Sequence, residues 1–139
     1  MIVYQLERGE TADYTSAELA KYIKLICGEN AEIKLEKGNE PGITLAVFDK
    51  LGIQADGIAD ARYDDAYDIN VNGFCGYISA SNIRSILYGV YAYLHEAGCR
   101  FFRPGEGGEY IPQKDLSKVE IKLKKSADLR YRADCIEGS

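Results

Sequence analysis

Two segments with the apolar periodicity of a helix, separated by four short strand patterns, constrain the fold of this chain most strongly. The first helical segment covers about residues 15–27. It starts with a capping box from Thr15 to Glu18, and Gly28 after its end fits the left-handed conformation that closes a helix. Its apolar stripe consists of Leu19, Ile23 and Ile26. This spacing predicts an amphipathic helix that covers one face of a sheet.

The second helical segment covers about residues 83–94 and ends before Gly98. Ser81 or Asn82 supplies a capping side chain at its start. Gly89 lies in its middle, where glycine costs about 1 kcal/mol relative to alanine. We therefore expect a packed neighbour close to the backbone at Gly89, and a larger side chain there should clash with it.

Seven short segments have the alternation or the apolar run of a strand, and the hairpin dipeptide Asn72-Gly73 joins two of them. The predicted strands are 2–6, 31–36, 43–48, 67–71, 74–79, 99–102 and 119–123, with a turn at 37–42 and a loop at 49–66. This order predicts an α+β fold: a mixed or mostly antiparallel sheet with both helices on one face. The alternative is a ferredoxin-like split βαβ arrangement with an extra hairpin.

Length and composition set the scale of the molecule. The 139 residues make one domain, and they are too few for a complete (β/α)8 barrel, which takes about 250. Hydrophobic residues are 46% and charged residues 28% of the chain, which excludes a disordered, collagenous or coiled-coil protein. A chain of this size needs no metal or disulfide to fold.

The net charge of −5 argues against a nucleic-acid partner, which requires a basic face. No segment has the roughly 18 consecutive apolar residues of a membrane span, so no membrane partner is expected. The start of the chain is too short and too acidic for a signal peptide. We expect a cytoplasmic protein if Met1 is the native start, and a secreted or periplasmic one if a leader was removed.

No cofactor or metal site is expected. The cysteines are far apart, and without an export signal we expect reduced thiols, with Cys27 and Cys99 as small buried side chains. The five aspartates of segment 56–68 lack the spacing of a calcium loop and indicate a solvated loop. The glycines of segment 104–108 indicate a turn, because no lysine and helix follow them as in a phosphate-binding loop.

The sequence shows no catalytic residue set. His95 is the one histidine, and a thiol or phosphate enzyme built on Cys99 and Arg100 is the weakest alternative. Tyr88, Tyr91 and His95 share one flank of the second helix. Tyrosines of this kind line the edge of a core, a protein interface or a sugar platform, in that order of expectation.

Residues 82–105, followed by 108–112, carry the most specific pattern of the chain. This stretch resembles the small N-terminal α+β domain that precedes the catalytic barrel in family 67 α-glucuronidases, family 20 β-hexosaminidases and related bacterial proteins. The motif residues that carry the resemblance are Tyr88, Gly89, Gly98, Arg100, Phe102, Pro104, Gly105 and Pro112.

The resemblance implies a non-catalytic accessory domain over residues 1–127, and a lead-in to a catalytic barrel, absent from this chain, over residues 128–139. Its implied partners are that barrel, in the same polypeptide, and an oligo- or polysaccharide. The residues expected at an interface or sugar contact are Arg84, Tyr91, Arg130, Tyr131 and Arg132. The alternative is a stand-alone carbohydrate-binding module that uses surface tyrosines.

Overall fold

The computed structural model describes residues 1–53, 66–101 and 109–125, and within these ranges the chain has an α+β fold. Its strands are β1 (Ile2–Gln5), β2 (Glu32–Lys34), β3 (Ile43–Val47), β4 (Tyr67–Asn72), β5 (Cys75–Ala80), β6 (Arg100–Phe101), β7 (Glu109–Tyr110) and β8 (Glu120–Lys125). Its helices are α1 (Glu10–Cys27), α2 (Phe48–Leu51) and α3 (Ile83–Glu96), and a 3-10 turn covers Leu116–Lys118.

Six of these strands form one mixed sheet in the order β2-β1-β3-β5-β4-β8. Strands β2, β1, β3 and β5 are parallel to one another, whereas β4 is antiparallel to both β5 and β8. Helix α1 crosses from β1 to β2, as parallel neighbours require, and a tight hairpin joins β4 to β5. Strands β6 and β7 form a separate antiparallel pair. The predicted α+β class with a mixed sheet is therefore confirmed.

Both long helices pack on the same face of the six-stranded sheet. Strand residues that alternate toward the helices meet the apolar stripes of α1 and α3 in one core cluster. Its fully buried members include Val3, Leu19, Ile23, Ile43, Ile69, Val71, Ile78, Val90 and Leu94. Strand positions between these residues point to the opposite face, which carries most of the exposed polar side chains of β4 and β8.

Helix α1 begins at Glu10, so the predicted start at a capping box was wrong. Thr15 lies inside the helix, where its hydroxyl donates to the carbonyl oxygen of Thr11 at 2.7 Å. The hydroxyl of Ser16 donates to the buried amide oxygen of Gln5 on β1. The hydrogen bond between Ser16 and Gln5 thus connects the first half of the helix to the sheet. A local capping pattern cannot predict such a contact between distant residues.

Helix α3 agrees with its prediction. The side chain of Asn82 caps it by accepting a hydrogen bond from the backbone N–H of Ser85 at 2.8 Å. A Cβ placed on Gly89 would lie 2.9 Å from Cγ2 of Ile78 on β5. The glycine in mid-helix therefore permits the close approach of α3 to the sheet, as its cost in helix propensity suggested.

The opposite face of β1 is covered by the loop that precedes β3. The ring of Tyr4 is fully buried there, and its hydroxyl donates to the carbonyl oxygen of Glu40 at 2.7 Å. Lys37 places its ammonium 5.0 Å from the centre of the same ring. The predicted turn at 37–42 is therefore a small layer that packs on the second face of the sheet.

The short helix α2 is a correction to the predicted loop at 49–66. Phe48, expected at the end of a strand, is instead its first residue and packs with Ala66 and Ile53 in a small second apolar cluster. Gly52 ends the helix with a φ of 68°. Four residues are too few for a recognisable helical periodicity, so tertiary packing decides this element.

Candidate functional site

Three residues of the resembling motif have packing roles in the structure. Gly89 allows α3 to approach β5, as described above. Gly98, just after α3, has a φ of 112°, and a Cβ there would lie 3.1 Å from Cγ of Pro112. These positions therefore specify how the backbone of α3 and the segment after β7 come together.

The exposed side of α1 and α3 forms the outer helical surface, made of Tyr14, Glu18, Leu25, Arg84, Tyr88 and Tyr91. Tyr88 has 46% of its side chain exposed, and Tyr14 and Leu25 are exposed to a similar degree. Tyr91 is half-buried, and its hydroxyl donates to a carboxylate oxygen of Glu18 at 2.8 Å. The structure thus brings Tyr88 and Arg84 to one surface and holds Tyr91 in a contact between the helices.

The pKa of Tyr91 lies well above its ordinary value. Burial is the main cause, and hydrogen bonds with Tyr14 and Glu18 and the negative charge of Glu18 add to it. The phenol therefore stays neutral and acts as a hydrogen-bond donor at physiological pH. It links α1 to α3 across the outer helical surface.

Several predicted site residues lie outside the described residues: Phe102, Pro104, Gly105, Arg130, Tyr131 and Arg132. Arg100 is described only by its backbone, which pairs in strand β6. Most of the predicted acidic loop at 56–68 and Cys135 also lie outside the described ranges. The predicted division between residues 1–127 and 128–139 falls there too.

Groups that carry metal or thiol chemistry are separated from one another. Among the described residues, no three His, Cys, Asp or Glu side chains come together as metal ligands. Cys99 is fully buried in the core, whereas Cys75 is exposed on β5 and His95 is exposed at the end of α3. A buried thiol of this kind has no access to a substrate, so the structure does not favour an enzyme built on Cys99.

No helix in the described part of the chain is both long and apolar enough to cross a membrane.

A second surface lies on the sheet face opposite the long helices, and the sequence did not predict it. The register of the sheet places Asn70 of β4 between Tyr77 of β5 and Lys122 of β8. In the next row, Asp68 of β4 lies opposite Lys124 of β8. We call these five residues the polar sheet face.

Two adjoining hollows run along the polar sheet face. One has a volume of about 490 Å³ and lies between the loop before β3, the end of α2 and the start of β5. Its polar lining includes Lys37, Asn39, Glu40, Thr44 and Tyr77. The other has a volume of about 210 Å³ and is lined by Asp68, Asn70, Lys122 and Lys124 together with the backbone of β4 and β8. Tyr77 of the larger hollow is paired across the sheet with Asn70 of the smaller one, so the two hollows lie over neighbouring strands.

Tyr77 is the one aromatic side chain among these lining residues, and its neighbours fix its state. Burial, and then the negative charge of Asp68, raise its pKa above the ordinary value, while Asn70 acts in the opposite direction. The neutral hydroxyl therefore interacts with the side chains of Asp68 and Asn70 on the neighbouring strand. These contacts orient the ring on the sheet surface.

Thr44 lies opposite Tyr77 in the β3–β5 ladder and in the lining of the larger hollow. It is only 2% exposed, and its hydroxyl has no hydrogen-bond partner among the described residues. Such a group is unusual, because nearly all buried polar atoms are paired. The Thr44 hydroxyl is thus an unsatisfied polar group that is buried beneath the larger hollow.

The sequence contained part of the signal for this surface. The alternation in 67–71 and 119–123 predicts strands with one polar side, which holds Asp68, Asn70 and Lys122. Which strands pair, and in which register, is a long-range property that alternation does not reveal. The sequence pattern therefore did not distinguish Tyr77 from the other tyrosines in predicted strands.

No protein-family model matches the chain, and no curated protein matches it.

Proposed function

We propose that this chain is a non-catalytic accessory domain of a glycoside hydrolase of the α-glucuronidase or β-hexosaminidase type, and that it packs against a (β/α)8 catalytic domain in the same polypeptide. The observation that carries the proposal is the packing role of the motif. Gly89 and Gly98, which belong to the resembling stretch 82–112, support the backbone contacts of α3. A motif whose residues serve packing is consistent with a non-catalytic domain that packs against a catalytic one.

The outer helical surface is the proposed contact with the catalytic domain. It exposes Tyr14, Leu25 and Tyr88, and Arg84 is exposed one turn before Tyr88 on α3. Tyrosine and arginine are enriched at protein interfaces and often contribute most of the binding energy there. This composition supports a surface that is covered in the complete protein.

The first experiment is the intact mass of the native protein, captured by antibody from its source cells. We expect a product several times larger than 15.4 kDa, because the catalytic domain would follow in the same reading frame. A native product of 15.4 kDa would contradict the accessory role. So would cleavage of aryl glycosides or glucuronides by the isolated chain.

The second experiment uses the longer polypeptide and two surface variants. Tyr88→Asp places a charge in the proposed contact, so it should lower the thermal midpoint of the catalytic domain by several degrees, since roughly 1 kcal/mol moves the midpoint of a large domain by 2–4 °C. Lys122→Gln, on the polar sheet face, is the matched control and should leave that midpoint unchanged. Equal midpoints for both variants would argue against a contact through the outer helical surface.

A second candidate is a stand-alone carbohydrate-binding module, which the exposed ring of Tyr88 favours. Calorimetry with a broad panel of oligosaccharides should then show binding by the isolated chain. Tyr88→Ala should weaken that binding, with Tyr93→Phe in the core as the control. If no oligosaccharide of the panel binds, the binding-module candidate is rejected and the accessory role remains.

A further inference from the structure

The outer edge of β2 is not paired with any described strand, because β2 stands at one end of the strand order and pairs with β1. The backbone N–H of Glu32 donates to the carbonyl oxygen of Met1 at 2.9 Å, so it points toward β1. Since the peptide groups of successive strand residues point in opposite directions, the N–H and C=O of Ile33 point away from the sheet. Such groups are a template for one more strand.

The side chains at this edge separate into an apolar set and a charged set. Ile33 is 39% exposed, and Leu35, just after the strand, is 48% exposed. The register places Ile33 beside Val3, so its side chain lies on the helix side of the sheet. Glu32 and Lys34 therefore lie on the opposite side. A strand that pairs with β2 would cover apolar surface on one side and meet both charges on the other.

The order of the charges along β2 fits a second copy of the same strand. When two copies pair antiparallel about Ile33, Glu32 of each copy lies opposite Lys34 of the other. A pairing centred on Glu32 or on Lys34 would instead place like charges opposite each other, which is unfavourable. Lys34 lies 3.7 Å from Glu40, but both side chains are exposed, and a surface pair of this kind is replaced at little cost.

The other edge of the sheet provides a comparison. Strand β8 contains the same order of residue types in Glu120, Ile121 and Lys122, but Ile121 is only 6% exposed. Two further exposed lysines follow at positions 124 and 125, and lysines on an edge strand oppose pairing with another chain. The two edges share the charge order, and of the two it is β2 that also exposes large apolar side chains.

We propose that the chain forms a symmetric dimer with a second copy of itself through antiparallel pairing of the two β2 strands. The backbones of the two Ile33 residues exchange two hydrogen bonds, and their side chains meet on the helix side. Two pairs of Glu32 with Lys34 form on the opposite side. A strand of 3 residues buries far less than the roughly 1,200 Å² of a stable interface, so the dimer is weak and forms at high protein concentration.

Sedimentation equilibrium of the 139-residue chain tests the proposal over roughly a hundredfold range of concentration. The mean mass should rise from 15.4 kDa toward twice that value as the concentration rises. Lys34→Glu and Glu32→Lys should each lower the association constant roughly tenfold, because two attractive pairs in the dimer become repulsive. An equimolar mixture of the two variants should associate again, because an acidic edge then meets a basic one.

Two further variants serve as controls. The double variant Glu32→Lys/Lys34→Glu restores opposite charges within one chain and should associate like the unchanged protein. Lys122→Glu makes the same change of charge on β8 and should leave association unchanged. Circular dichroism checks that each variant is folded.

Four results would each overturn the proposal. They are a chain that stays monomeric over the whole range, undiminished association of Lys34→Glu, a mixture of the two single variants that associates no more than either alone, and an equal loss of association in Lys122→Glu. No catalytic domain takes part in these measurements, so the dimer can be rejected while the accessory role stands.

Discussion

The two faces of the central sheet are built from the same strands but differ in chemistry. On the helix side, Val71 and Ile78 are fully buried in one continuous apolar core. On the opposite side, the intervening residues Asn70 and Tyr77 line solvent-accessible hollows. Because successive side chains of a strand point to opposite faces, one face of the sheet can form the core while the other stays accessible to solvent.

This difference predicts how each face responds to substitution. The helix side has close approaches between backbone and side chains, so added atoms have no space. The polar side carries exposed side chains such as Asn70 and Lys122, so substitutions there should change the free energy of unfolding little. Substitutions on the helix side should therefore cost the most stability.

Gly76→Ala should have the largest effect on stability. Gly76 on β5 has a φ of 139°, and a Cβ there would lie 2.0 Å from the carbonyl oxygen of Asn70. Backbone strain and overlap with a backbone atom together should cost more than about 3 kcal/mol. Urea unfolding measures the change.

Gly28→Ala is the control for this substitution. Gly28 also has a positive φ, of 78°, but a Cβ there would meet nothing within 4 Å. It should therefore cost only about 1 kcal/mol, the price of the backbone conformation alone. Equal losses for the two variants would show that the backbone angle, and not the approach to β4, determines the effect.

Gly89→Leu should destabilise the chain by about 1–3 kcal/mol, because the new side chain is forced against Ile78 and Tyr67. Gly89→Ala should change stability much less. Its Cβ would lie 2.9 Å from Cγ2 of the buried Ile78 and 3.4 Å from Cβ of Tyr67, so these neighbours must shift, and the gain of about 1 kcal/mol in helix propensity offsets part of that cost. An unchanged denaturation midpoint for Gly89→Leu would mean that α3 is separated from the sheet at this position.

The stability of the helix side should decline in alkaline solution. Tyr93 is 1% exposed, and its burial raises the pKa of the phenol above the ordinary value. A raised pKa in the folded state means that its contribution is complete below pH 10 and is lost as the pH rises beyond that value, by up to about 1.4 kcal/mol per pH unit. Tyr93→Phe should flatten the decline between pH 10 and 11, as measured by urea unfolding. An identical slope in both proteins would contradict this assignment.

Thr44→Val should stabilise the chain by about 1 kcal/mol, because it replaces a buried hydroxyl without a described partner by a methyl group of similar size. Thr44→Ser keeps the hydroxyl and removes the methyl group, so it should destabilise the chain instead. Thermal unfolding of the three proteins measures both changes. A destabilised Thr44→Val would show that the hydroxyl has a partner in solution.

Much of the fold was predictable because helix and strand patterns are local. The stripe before Gly98 and the close packing at Gly89 were predicted from the sequence and confirmed in the structure. The hairpin between β4 and β5 was also predicted, but its turn residues are Gly73 and Phe74, one position later than the predicted Asn72-Gly73. The predictions failed where tertiary contacts override local signals. The start of α1 depends on Ser16 meeting Gln5, and α2 depends on the packing of Phe48.

The candidate site was less predictable than the fold. The sequence singled out Tyr88, Arg84 and Tyr91 on one helix, and the structure places Tyr88 and Arg84 at the surface but Tyr91 in a contact with Glu18. It gave no reason to group Tyr77 with Asn70 and Lys122, which are far apart along the chain. Their meeting depends on strand pairing, which no local pattern reports.

Local sequence patterns are enough to predict two amphipathic helices and a set of half-buried strands, because a period of 3.6 or 2 residues involves only positions that are close along the chain. The strand order β2-β1-β3-β5-β4-β8, and hence the composition of each face, follows from long-range strand pairing, which these patterns do not contain. A shift of one residue in the pairing of β4 would turn Asn70 toward the helices and Val71 toward solvent. Packing of the buried face permits only one register for β4. The same register brings the residues of the polar sheet face together.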